Sequence, residues 1–207
     1  MRFLMALFYL WEICRILNRE KKGLTEDSIS EELQKLVTRD YSSNISKATC
    51  NRAISWLYFS GIIAFCVEIT EMDILDFKAA SRCYVMDVGL ANYYLTRTGT
   101  DSRVLTGTLN ENFVYINLKK RQDFPQEISF ETPAFATYRG GEIDFVVQSL
   151  QSSTRYLVEV ISGKGTAGTA LKALEHGKVQ KLLYLKGGMD GKSETILIYM
   201  LERYSFN

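Results

Sequence analysis

Two neighbouring stretches, GGEIDFVV at residues 140–147 and LVEVISGKG at residues 157–165, decide the fold of this chain. Each is a short apolar run interrupted by an acid, Asp144 in the first and Glu159 in the second. Runs of this length and composition predict two buried β-strands. A carboxylate on a buried strand costs free energy unless a cation or a hydrogen-bond donor compensates it. Alternation along the strands predicts one face with Glu142, Asp144 and Val146, an opposite face with Ile143, Phe145 and Val147, and in the second strand a face with Leu157, Glu159 and Ile161.

A third acid, Glu111, lies in ENFVYINLKKR, residues 111–121, which predicts a helix. At about 100° per residue, Glu111 shares one side of that helix with Val114, Tyr115 and Leu118. The acid is therefore not on a plainly solvated face. Three converging acids are one way to hold a hard divalent cation for phosphodiester cleavage. The alternative is that arginine, lysine or backbone donors satisfy Asp144 and Glu159.

The order helix Glu, strand Asp, strand Glu resembles the PD-(D/E)XK nuclease-like fold. The resemblance implies that Asp144, Glu159 and the backbone carbonyl of Val160 hold Mg²⁺, the possible cofactor. It also implies that Glu111 assists through a water molecule or a second metal ion.

That pattern places a lysine two residues after the last acid, and this chain has Ile161 there. A lysine at this point would orient and deprotonate the attacking water, which an isoleucine side chain does not do. Lys164 follows three residues later in a Gly-flanked turn, from which a long side chain could swing back. The resemblance thus implies a nuclease-like site whose catalytic lysine is missing or displaced.

The rest of the second half alternates strands and helices, which predicts a mixed α/β domain. The predicted strands are EISFETP, FATYR, GEIDFVVQ, TRYLVEVI, KLLYL and TILIY, with TAGTALKALEHG as a helix before the last two. GGMDGKS, residues 187–193, nearly matches a P-loop, but Lys186 replaces the first glycine and a strand follows. We interpret it as a hairpin loop. His176 is the only histidine and lies at a helix C-terminus, so no multi-histidine site exists.

The first half predicts three helices and a two-stranded wing, the plan of a winged helix. The helices are residues 1–19, a second that starts near Thr25, and a third capped by Ser46 or Asn44; IIAFCVEIT and SRCYVMD are the wing. Residues 24–80 contain nine acids and five bases, a net charge of −4. Because phosphate contacts need Lys and Arg, the charge favours protein–protein packing over DNA binding. The linker that follows sets the predicted domain boundary, with domains at 1–96 and 97–207.

The composition is that of an ordinary soluble globular protein of 207 residues with a net charge of +1. The four cysteines form no CxxC pair, which argues against zinc and favours reduced cytoplasmic thiols. FLMALFYLW, residues 3–11, is apolar but too short to span a membrane. We expect this segment to form a buried or interface helix and to support a homodimer.

Four motifs in order resemble the C-terminal region of a bacterial and archaeal AAA-type ATPase family. They are CYVMDVGLANYYL, GTLNENFVYINLKKR, RGGEIDFVV and LVEVISGKG. In that family a P-loop ATPase domain precedes a winged helix and a nuclease-like domain of unknown function. The resemblance implies an upstream ATPase domain as partner, although no Walker motif precedes the winged helix in this chain.

These observations predict an α/β protein, α+β overall, with a winged-helix module before a restriction-endonuclease-like mixed-sheet domain. The first functional hypothesis is a non-catalytic accessory region that engages a protein or nucleic acid. The second is a Mg²⁺-dependent nuclease that uses Glu111, Asp144, Glu159 and Lys164. The two hypotheses differ at position 161.

Overall fold

A computed structural model describes residues 26–41, 45–72, 74–76, 82–97, 99–124, 127–129, 133–161, 167–187 and 195–206. The chain forms two compact units, one of Met1–Phe65 with Ala80–Leu105 and one of Cys66–Ala79 with Thr106–Asn207. The expected helix at residues 1–19, its proposed role in a homodimer, and Lys164 lie outside the described residues. No helix in the described part of the chain has the length and apolar character needed to cross a membrane.

The first unit is built on two packed helices. Its elements are α1 Glu26–Tyr41, α2 Lys47–Phe59, β1 Ile63–Cys66, β4 Arg82–Val85 and α3 Val88–Arg97. Ser46 caps α2 as predicted, since its side chain accepts a hydrogen bond of 3.2 Å from the backbone N–H of Thr49. The core of this unit is formed by buried apolar residues of both helices: Leu33, Leu36, Val37, Ile54 and Leu57. Tyr58, which follows Leu57 in α2, is 48% exposed.

The predicted wing differs from the structure. β1 and β4 pair as expected, but IIAFCVEIT breaks at Val67 and continues as β2 Glu68–Thr70. β2 pairs antiparallel with β3 Ile74–Asp76, and both belong to the second unit. The predicted boundary at 96/97 therefore differs from the observed division. The reason is a non-local contact: β2 runs parallel to a strand that begins more than sixty residues later, with Ile69 opposite Ala136.

The second unit is a mixed sheet with helices on its faces. Its further elements are α4 Ser102–Asp123, β5 Ala134–Tyr138, β6 Gly141–Gln148, β7 Arg155–Ile161, α5 Gly168–Glu175, β8 Lys181–Lys186, β9 Thr195–Leu197 and a 3₁₀ helix Ile198–Arg203. α4 begins in the first unit and continues into the second. Among the described residues, seven strands form one sheet in the order β3-β2-β5-β6-β7-β8-β9. The predicted mixed α/β class is confirmed.

Strand direction changes in the middle of this sheet. β5, β6 and β7 are antiparallel neighbours, and α5 then carries the chain over to β8, which is parallel to β7. β9 is parallel to β8, so these two strands do not form the predicted hairpin, and all of GGMDGKS after Gly187 lies outside the described residues. A strand does follow that loop, as predicted. Its direction depends on pairing, which the sequence pattern does not contain.

The two faces of the sheet carry separate apolar layers. One face packs on α5, and its cluster contains Ala136, Ile143, Val146, Leu157, Leu182, Ala170 and Ala173. The other face packs on α4, where the rings of Tyr115 and Phe145 have centroids 6.3 Å apart. We call these the α5 face and the α4 face. They determine which site residues can meet.

Candidate functional site

The candidate site lies beyond the last backbone-paired residues of β6 and β7, Phe145 and Val158. Their register runs from Gln148 opposite Arg155 to Phe145 opposite Val158. Further along β7, the backbone N–H of Val160 donates to the carboxylate of Asp144, with 2.8 Å between N and Oδ2. A backbone donor of the neighbouring strand thus satisfies one carboxylate oxygen of Asp144, as the alternative interpretation expects. This contact fixes the half-buried Asp144 against Val160.

A β-bulge explains the position of Asp144. In the β5–β6 register, Ala134 is opposite Val146 and Ala136 is opposite Ile143, so β6 has one extra residue in this interval. Ile143 and Val146 consequently both join the α5-face cluster. The strict alternation predicted for β6 is wrong between these two residues. Bulges bend a strand and redirect side chains, and they are frequent beside active sites.

Glu159 lies on the α5 face of β7. Leu157, two residues earlier, belongs to the α5-face cluster, and Tyr184, the register partner of Glu159, packs against that cluster. The residue is half-buried as a whole, while its Oε1 atom is buried. Burial of a carboxylate oxygen is costly without compensation.

Glu111 lies on α4, one helical turn before Tyr115, and is half-buried. The prediction that it avoids a solvated face agrees with the complete burial of Val114 and Leu118 on the same side of the helix. Tyr115, however, packs on Phe145, on the face opposite Glu159. Within the described ranges, no three His, Cys, Asp or Glu side chains form a group that could hold a metal ion. The structure does not bring Glu111 into one group with Asp144 and Glu159.

Asp144, Glu159 and the Val160 carbonyl form a smaller set of oxygen ligands near the end of β7, and we call this position the Asp144–Glu159 corner. The N–H and C=O of one strand residue point to the same edge, so the Val160 carbonyl faces β6, as its N–H does. Asp144 holds that N–H and Glu159 precedes Val160 in the chain. Carboxylate and carbonyl oxygens are ligands that Mg²⁺ accepts, so these donors fit such an ion by type. We predict about 4–7 Å between the two carboxylates, from ligand distances of about 2.0–2.6 Å.

The sequence did not single out Lys186 as a site residue. β7 and β8 are parallel, and Ile161 is the register partner of Lys186. Leu182 belongs to the α5-face cluster and Tyr184 packs against it, so alternation places Lys186 on the α5 face as well. A lysine therefore stands beside the isoleucine that replaces the expected lysine. The alternating pattern of KLLYLK gives its face, but only the register between strands reveals its neighbour.

At the start of β6, Gly141 packs closely against α5. A Cβ atom built on Gly141 would lie 2.1 Å from Oγ1 of Thr169, in the first turn of α5. Only a glycine permits this approach without movement of Thr169. Gly140, the preceding residue, has φ +76, and a Cβ atom built on it would have no atom within 4 Å. Glycine is therefore suited to Gly140 by the backbone conformation of the turn between β5 and β6, not by close packing.

Comparison with protein-family models, with curated proteins and with solved structures finds no match to this chain.

Proposed function

We propose that this chain is a non-catalytic accessory region of an AAA-type ATPase. In this proposal the second unit is a nuclease-like domain that engages a nucleic acid through the corner at Asp144 and Glu159. The order of α4, the three antiparallel strands β5–β7, α5 and the parallel strand β8 supports it. The observation that carries it is the hydrogen bond from the Val160 N–H to Asp144, next to the partly buried Glu159.

The Asp144–Glu159 corner offers oxygen ligands for a metal ion, but Ile161 beside it is apolar. Asp144 and Glu159 would hold Mg²⁺ together with the carbonyl of Val160. The ion, when bound, supplies a Lewis acid that attracts a phosphoryl oxygen. Ile161 is half-buried at the end of β7 and neither binds a phosphate nor moves a proton. Binding without cleavage follows from this combination.

The first unit supports a protein contact rather than DNA binding. The exposed side of α2 carries Arg52, Trp56 and Phe59, with exposures of 49% for Trp56 and 84% for Phe59. The basic residue at the start of the helix, Lys47, is paired with Glu31 at 3.0 Å. Aromatic residues and arginine are enriched at protein interfaces. We expect duplex DNA affinity from this unit no tighter than the ~10⁻⁴–10⁻⁶ M of non-specific contacts.

The test is a paired binding and cleavage experiment on the full chain. Labelled single- and double-stranded DNA and RNA are incubated with Mg²⁺ or Mn²⁺, and binding is followed by anisotropy and cleavage by gel. We expect divalent-dependent binding without cleavage, lost in Asp144→Asn and in Glu159→Gln. Ile161→Lys should then introduce metal-dependent cleavage. Absence of any divalent-dependent binding by the unaltered chain would overturn the proposal.

An active nuclease is the second candidate, favoured by the bulge at Asp144, since bulges accompany active sites. In this version Asp144 and Glu159 act with Lys164, and Glu111, which lies outside their group, assists through a water molecule or a second metal ion. Cleavage by the unaltered chain that disappears in Lys164→Ala would establish it. Cleavage that survives Lys164→Ala and Glu111→Gln would exclude those two residues from the reaction.

A further inference from the structure

We propose that Lys186, at the end of β8, contacts the phosphate backbone of a nucleic acid seated at the Asp144–Glu159 corner. This inference rests on the proposed function, and it commits the partner to nucleic acid rather than protein. In this inference Lys186 on β8 supplies the positive charge that is absent at Ile161 on β7.

The register of the parallel pair carries the argument. From Tyr156 opposite Lys181 to Ile161 opposite Lys186, the pairing between β7 and β8 runs without interruption. Adjacent strands lie about 4.8 Å apart, and register partners direct their side chains to the same face. A lysine side chain at 186 is long enough to reach the space over Ile161.

The position along the strand is equally specific. Lys186 is the last residue of β8, and Ile161 is the last residue of β7. Glu159 lies two residues before Ile161, on the same face of β7, and its register partner on β8 is Tyr184. The acid and the lysine are thus separated by one strand spacing across the sheet and two residues along it. This arrangement resembles an acid and a lysine at i and i+2 of one strand, shifted sideways by one strand.

Charge makes a phosphate the fitting ligand. Two carboxylates alone repel a phosphodiester, but a bound divalent cation offsets their two negative charges. Lys186, half-buried at the rim of the same face, then adds a second cation for the phosphate oxygens. A compact ammonium group binds phosphate as a point charge. Binding that needs both the divalent ion and Lys186 is the signature of this arrangement.

The experiment measures oligonucleotide affinity by fluorescence anisotropy as a function of salt, with Ca²⁺ and with Mg²⁺ present. Lys186→Met removes the charge and keeps most of the stem; Lys172→Met, on the exposed side of α5, is the matched control for net charge. One phosphate contact contributes about 0.9 to the slope of log K against log salt on duplex DNA. Lys186→Met should therefore weaken binding about eightfold near 0.1 M salt and flatten the slope by about one. Lys172→Met should change neither.

A relocation variant separates contact from structural support. In the double variant Lys186→Ile with Ile161→Lys, the charge moves to the register partner on the same face. We expect the double variant to recover at least half of the slope that Lys186→Met loses, whereas Lys186→Ile alone should remain weak. Unchanged melting temperature confirms that each variant is folded, and Lys186→Arg, which keeps the charge, should bind like the unaltered chain.

Failure of this inference differs from failure of the proposed function. If the unaltered chain binds oligonucleotides but Lys186→Met has the same affinity and salt slope, the role of Lys186 is refuted and the function stands. Equal losses in Lys172→Met and Lys186→Met would also refute it, since any surface lysine would then serve. If the unaltered chain binds no oligonucleotide with either ion, the proposed function fails and the inference fails with it.

Discussion

The two halves of the β6–β7 pair differ in what holds the strands together. In the closed half, Phe145–Gln148 pair with Arg155–Val158 through their backbones, and most of the side chains are fully buried and apolar. In the open half, Gly141–Asp144 lie beside Glu159–Ile161, where the Asp144 side chain accepts from Val160. Most residues of the open half are half-buried, although Ile143 is fully buried.

The comparison shows how one pair of strands can serve both stability and function. The closed half buries apolar surface on both faces of the sheet, which is the main source of folding free energy. The bulge after Ile143 interrupts the regular alternation of side chains along β6. Asp144 lies within this bulge. Truncations in the closed half should therefore cost the most stability, whereas substitutions of the carboxylates in the open half should also change ligand binding.

The largest expected effect is on Phe145, in the closed half. Phe145→Ala should lower the free energy of unfolding by about 3–5 kcal/mol, because the ring is fully buried and packs on Tyr115. Urea denaturation followed by far-UV circular dichroism measures this. Ile161→Ala, the corresponding truncation to alanine in the open half, should cost less than about 2 kcal/mol, because Ile161 is only half-buried. Equal losses from the two variants would remove the distinction between the halves.

The next effect is on Asp144. Asp144→Ala should cost about 1–3 kcal/mol, because the Val160 N–H loses its acceptor. Asp144→Asn keeps a side-chain oxygen as acceptor and should cost less than half as much. Thermal melts of both variants give the comparison. If alanine and asparagine are equally tolerated, the side chain is not what joins the strands in the open half.

The packing of α5 on the start of β6 gives a third test. Gly141→Ala should destabilise the protein by about 1–3 kcal/mol, as overpacking does, because its Cβ would meet Thr169. The double variant with Thr169→Ala should recover part of this loss, since two of the three contacting atoms are then gone. Additive losses, measured by urea denaturation in a double-mutant cycle, would contradict this contact.

The smallest effect lies in the first unit and should leave both halves unchanged. Burial raises the pKa of the Cys50 thiol, so the folded chain keeps this proton at a pH where the unfolded chain has lost it. Stability from this group is complete below the ordinary thiol pKa of about 8.5 and falls as the pH rises above it. The slope contributed by Cys50 is at most about 1.4 kcal/mol per pH unit. Cys50→Ala should flatten the alkaline side of the stability profile; an unchanged profile would contradict the assignment.

Much of the secondary structure could be predicted because its signals are local. GEIDFVVQ and TRYLVEVI contain β6 and β7, and Ser46 marks the start of α2. The hairpin of β2 and β3 could not be placed from these signals. It is held to the second unit by contacts that no periodicity shows, such as Arg139 N–H on the carboxylate of Glu71 at 3.2 Å.

The candidate site shows the same limit more sharply. Asp144 and Glu159 could be found as acids in apolar strands, but the bulge that places Asp144 depends on the pairing of β6 with β5. Glu111 shares a helix side with core residues, yet the sequence does not show which sheet face that side covers. Lys186 could be recognised only through its partner Ile161. Local pattern gives the candidates, and strand register determines which of them meet.

The most direct test of the central claim, that the open half holds a divalent cation, is the melting temperature of the full chain with and without Mg²⁺ or Mn²⁺. A ligand that binds only the folded state must stabilise it, by about 2.7 kcal/mol at a hundred times its dissociation constant. We expect both ions to raise the melting temperature of the unaltered chain. Neither ion should do so for the double variant of Asp144→Asn and Glu159→Gln. Equal shifts in the unaltered chain and the double variant, or no shift in either, would contradict the claim.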